Sequence, residues 1–130
     1  MALAVVQQAV GSLWGGNLQG LVDCFSEDAV LTMHVNPAII PHGGEHRGKA
    51  GVKHYFELAF SNMDVSKHET LHMISQGDVV ISRGWADARC KATNKSGRLH
   101  YATTWTVKDG RVICYNEMVD SAMEEDFFTK

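Results

Sequence analysis

Apolar side chains recur at helical spacing from the start of the chain: Leu3, Val6, Val10, Leu13 and Trp14 fall on one face of a first helix. The Gly15-Gly16-Asn17 run then stops it. Leu18, Leu21, Val22 and Phe25 predict a second, short amphipathic helix that ends at Ser26-Glu27-Asp28, with a strand over Ala29–Val35. From Asn36 to Gly51 the periodicity dissolves, and two prolines, four glycines and two histidines predict a long irregular loop. Loops of that length in a small domain are usually functional or mobile. Helical spacing returns with Val52, Tyr55, Phe56, Ala59 and Phe60.

Beyond that point the spacing is that of strands. Residues 66–74 pair across a Gln76-Gly77-Asp78 turn with residues 79–90. Asn94-Lys95-Ser96-Gly97 leads into a strand over Leu99–Val107, and Lys108-Asp109-Gly110 marks a last hairpin into Arg111–Val119. Helices followed by a meander of long strands predict an α+β domain with helices on one face of an antiparallel sheet.

Composition narrows the function classes. The chain has 130 residues, 45% of them apolar and 21% charged, with a net charge of -3, which fits one globular domain over residues 1–130. No basic footprint for nucleic acid is present, and no apolar stretch approaches a membrane span. The N-terminal run lacks the basic start and unbroken apolar core of a signal peptide, so a cytoplasmic location is expected. Cys24, Cys90 and Cys114 are odd in number and far apart, which suits small buried side chains in a reducing compartment. His42 and His46 flank a glycine-rich stretch that presents no common helical face, so no metal site is expected there. Gly-rich phosphate loops, nucleophile elbows and zinc-protease signatures are missing, and no cofactor is expected.

Three segments carry a family resemblance: LQGLVDCFSEDA at 18–29, HRGKAGVKHYF at 46–56, and TWTVKDGRVI at 104–113 with EMVD at 117–120. In that order and spacing they resemble the SnoaL-like, ketosteroid isomerase-related branch of the nuclear transport factor 2-like superfamily. The resemblance implies a cone, a curved antiparallel sheet wrapped around the N-terminal helices of a cystatin-like fold, with a pocket at the open end. It does not extend to every chemistry of the group. The carboxylate base of ketosteroid isomerases falls at Met33, their oxyanion tyrosine near Ala9 and their oxyanion aspartate near Thr103, and a methionine takes no proton. The two aspartates of limonene epoxide hydrolases map to Glu117 and approximately to Asp87, but Trp85 stands in place of the arginine.

Strand alternation offers an independent reading of the site. One parity brings Trp85 and Asp87, then Tyr101, Thr103 and Trp105, then Ile113, Tyr115, Glu117 and Val119, to the concave side. Aromatics mixed with two acids and a threonine suit a ligand pocket with a few polar anchors. Glu117 and Asp87 are then the candidate proton-transfer residues. Trp14, Met33, His42, Tyr55, Trp85, Tyr101, Thr103, Trp105 and Tyr115 are the candidate ligand contacts. Either the domain converts a small, largely apolar organic molecule by acid–base chemistry, as isomerases, cyclases, dehydratases and hydrolases do, or it is a non-catalytic binding or interaction module on the same fold. The outer sheet face, with Thr104, Cys114, Asn116 and Met118, is expected to form a homodimer.

Overall fold

The computed structural model describes residues 1–130. Helix α1 spans Ala2–Trp14 and α2 spans Leu18–Asp23, where the Asn17 side chain caps the helix by accepting from the Gly20 amide at 3.0 Å. Strand β1 runs Phe25–Met33 and β2 runs Gly44–Arg47; α3 then covers Gly48–Asn62. Four long strands follow: β3 Met63–Gln76, β4 Val79–Cys90, β5 Ser96–Lys108 and β6 Arg111–Val119. Helix α4, Ser121–Phe127, closes the chain.

One six-stranded sheet results, in the order β2-β1-β6-β5-β4-β3, open between its edge strands β2 and β3. The hairpin turns sit where sequence placed them, with Gly77, Asn94, Asp109 and Gly110 all at positive φ. Register shifts at Val65/Lys67 and Thr70/His72 interrupt the β3–β4 ladder, and such bulges bend a strand. Helices α1 to α3 pack on the concave face. There Val6, Leu21, Phe25, Leu31, Val52, Phe56 and Trp105 join in the main core.

Four features depart from the sequence reading. Phe25 ends no helix: α2 stops at Asp23, and the Phe25 ring packs in the strand against Trp105 and Tyr115 at centroid distances of 6.2 and 6.1 Å. A register irregularity between Phe25 and Val30 lets polar Ser26, Glu27 and Asp28 belong to β1. The sheet is not wholly antiparallel, because β1 runs parallel to β6. The long loop holds a four-residue edge strand, β2, too short and too polar to show a period. Finally α4 lies over Ala88, Cys90 and Leu99 and buries Phe127 among them as a second small core.

Candidate functional site

Inside the sheet, the small side chains of β4 leave room for a cavity. Ser82, Ala86 and Ala88 face it, and Gly84 permits close backbone approach: a β-carbon there would lie 2.2 Å from the Glu69 carbonyl oxygen. The cavity measures about 110 Å³ and 17 of its 23 lining residues are hydrophobic. That is comparable with the ~150 Å³ apolar cavity that accepts benzene, so its inner part is sized for a single ring.

Most of the predicted contacts meet there. Met33 comes from β1, His42 from the β1–β2 loop and Tyr55 from α3. Tyr101, Thr103 and Trp105 come from β5, and Tyr115 and Glu117 from β6. Trp105 is fixed by its indole N–H, which donates to Ser82 Oγ at 2.9 Å. Trp14 stands at the end of α1 and stacks on His68 of β3 with centroids 4.0 Å apart, joining a helix to the far edge of the sheet.

Trp85 and Asp87 are not part of this group. Both belong to the opposite parity of β4 and lie on the outer face, where Asp87 accepts two hydrogen bonds from Arg98 at 2.8 and 3.1 Å. The same guanidinium sits 3.6 Å over the Trp85 ring. Pairing explains the facing: Thr103 stands opposite Ser82 and Tyr101 opposite Gly84, so the inward positions of β4 are 82, 84, 86 and 88. Arg98 also holds the Asp87 carboxyl below the usual carboxylate range. Ile113 is likewise displaced, since the bulge between Thr106 and Val107 puts Val112 in the core instead.

Glu117 has the opposite surroundings. Burial pushes its pKa up from 4.5 to about 7, Tyr115 and Thr103 pull against this through hydrogen bonds, and the charge of Glu124 adds to it. The residue as a whole is half-buried and lines the cavity, and its carboxyl is enclosed by protein. The Tyr115 hydroxyl donates to Glu117 Oε1. Burial likewise pushes the Tyr115 and Tyr55 phenols well above their ordinary value, with Glu117 adding to both. They remain neutral donors at physiological pH. No arginine reaches Glu117: Arg83 contacts His72 and Arg89 pairs with Asp64.

The residue that sequence reasoning missed is Glu124. It projects from α4 into the cavity wall and is 2% exposed, facing His42, which is 1% exposed. His42 Nε2 lies 3.7 Å from Glu124 Oε2. Neither Glu124 Oε2 nor His42 Nδ1 has a hydrogen-bond partner. An unpaired buried polar atom costs about 1–3 kcal/mol. The sequence signal was present in Asp120, whose side chain caps α4 by accepting from the Met123 amide, with Glu124 one turn and Phe127 two turns beyond.

No group of three or more His, Cys, Asp or Glu side chains comes together as a metal site. No helix is long and apolar enough to cross a membrane.

Comparison with known proteins agrees with this architecture. The profile of the SnoaL-like domain matches residues 6–115. An NTF2-like protein from Burkholderia xenovorans LB400 superposes with a TM-score of 0.88 over 98% of this chain and 95% of its own, at 23% identity. TerC, co-crystallised with polyporic acid, superposes at 0.82 with 16% identity, covering 99% of this chain and 98% of that one. A protein of ketosteroid isomerase-like fold from Catenulispora acidiphila DSM 44928, in complex with trimethylamine, gives 0.74 with 14% identity over 94% and 95% of the two chains. At these identities the likeness is one of fold. No curated protein sequence matches the chain.

Proposed function

The chain belongs to the SnoaL-like domain family, and from that premise we propose that it binds a small, largely apolar organic molecule in the cavity and shifts a proton on it through Glu117. The observation that carries this reading is a carboxyl group poised near 7 on the wall of an otherwise apolar, single-ring-sized cavity. A group whose pKa matches the working pH is present in both forms and can both take and return a proton. Neutral Tyr55 supplies a donor for charge that develops on a ligand oxygen, while the Tyr115 and Thr103 hydroxyls hold the Glu117 carboxyl. The proton leaves one ligand atom for the Glu117 carboxylate and returns from it to another, as in an isomerisation or ring closure. Asp87, held outside by Arg98, has no part in this step.

Native mass spectrometry of the purified protein is expected to reveal a small organic molecule, whose identity supplies the substrate class. With that class in hand, Glu117→Gln is expected to lower turnover by about 10²–10⁴ while binding persists. Full turnover in the variant would remove Glu117 from the chemistry, and a wild type that binds the molecule without turning it over would leave a non-catalytic binding module. We further propose that a second copy of the chain covers the outer sheet face. Large apolar side chains exposed there, Ile74 at 65%, Ile81 at 47% and Met118 at 61%, support that arrangement.

A further inference from the structure

The reading above gives the cavity one proton-transfer group, yet its wall holds a second pair of buried polar side chains. His42 and Glu124 come from unrelated segments, the β1–β2 loop and α4, and meet with Nε2 and Oε2 3.7 Å apart. Tyr55 and Phe128 pack edge-on against the imidazole at 5.7 and 5.9 Å, and His46 Nε2 contacts the His42 backbone carbonyl oxygen at 3.0 Å. Nε2 is the ring nitrogen nearer Glu124, at 3.7 Å just beyond hydrogen-bond range. Because a carboxylate oxygen can only accept, a ring proton on Nε2 is the arrangement that a small closure would pair. Nδ1 is then left with a bare lone pair, buried and unpartnered, on a residue of the cavity wall. A base oriented by a carboxylate on its far nitrogen is the arrangement that activates hydroxyl groups elsewhere in catalysis.

We propose that His42, positioned by Glu124, is a second proton-transfer residue of the cavity, and that the ligand is an apolar molecule presenting a hydroxyl, phenolic or enolic, to Nδ1. The inference rests on the proposed apolar ligand and adds what that ligand must carry. In the step it implies, the hydroxyl proton passes to His42 Nδ1 while protonated Glu117 delivers one to a ligand carbon. The O–H bond breaks, a C–H bond forms, and the enol becomes a ketone with no net change in composition. The imidazolium then returns its proton to the Glu117 carboxylate through solvent.

The test uses three ring probes of the right size, p-cresol, its methyl ether 4-methylanisole, and toluene, with protein labelled with ¹⁵N at histidine. The free protein is expected to show His42 as the Nε2–H tautomer, and p-cresol to shift its Nδ1 resonance where the ether does not. p-Cresol is also expected to bind about tenfold more tightly than the ether, the worth of one buried hydrogen bond. His42→Phe should abolish that preference. Glu124→Gln, whose amide can donate, should release the ring to the Nδ1–H tautomer, an effect that loss of packing alone does not produce. If His42→Phe fails to fold, the tautomer and the probe shifts in the wild type decide the matter. An Nδ1–H ring in the wild type, or equal affinity for p-cresol and its ether, overturns this proposal while binding of toluene leaves the apolar-ligand reading standing. Failure of all three probes to bind at millimolar concentration overturns both.

Discussion

Glu117 and Asp87 are carboxylates two strands apart on one sheet, and their surroundings drive them in opposite directions. Burial holds the Glu117 proton up to about pH 7, whereas the unfolded chain releases it near 4.5. The folded state therefore binds more protons than the unfolded one across that window. The stability Glu117 contributes is full below the lower value and is lost as pH rises through the upper one. In urea unfolding, the gain in stability of Glu117→Gln over wild type is expected to grow by roughly 2–3 kcal/mol between about pH 5 and pH 8. A difference that stays flat with pH would mean that the carboxyl is ionised in the fold. Glu117 was legible from its strand neighbours Tyr115 and Val119, because an acid between core residues is out of place. Asp87 was not, because its facing depends on whether Gly84 or its two neighbours point inward, and no side chain at 84 records that.

At the scale of elements, β4 shows why alternation misleads when size and hydrophobicity disagree. Its one tryptophan faces outward under Arg98, and its inward positions are small so that the cavity exists. The two tryptophans of β4 and β5 should therefore behave differently. Trp105→Ala is expected to cost about 3–5 kcal/mol, since that ring is 2% exposed and packs edge-on against Tyr115 at 4.7 Å. Trp85→Ala should cost less than about 1.5 kcal/mol, the worth of a half-exposed ring and its cation contact. Equal costs in chemical denaturation would contradict the facing described above. The turns were legible because they demand particular residues, as Gly77 and Asp109-Gly110 supply. The second strand and the last helix were not. A four-residue edge strand and a seven-residue helix hold too few apolar positions for a period to stand out.

For the whole molecule, the outer face is the open account. Ile74, Ile81, Thr104 and Asn116 lie in one row across four strands, and Met118 extends it. Sedimentation equilibrium is expected to show a dimer at micromolar concentration, with Ile81→Lys shifting it to monomer, because a charge moved into a dry interface is costly. A monomeric wild type would retire the second copy. The order of helices and hairpins carried the α+β class, but the parallel pairing of β1 with β6 had no local signal. Partners so distant in sequence are chosen by the core as a whole, through Phe25 and Leu31 on one side and Val112 and Tyr115 on the other.

That parallel seam has a kinetic corollary. Strands β3 to β6 can zip together through short hairpins, each closing a small loop, whereas β1 must find β6 across most of the chain. Met33 stands opposite Glu117 at this join, and the His34 amide donates to the Glu117 carbonyl at 3.1 Å. The backbone that aims Glu117 is thus completed only when the slowest contact forms. A partial opening confined to the join would misdirect the Glu117 side chain while leaving the meander, and nearly all of the circular dichroism signal, in place.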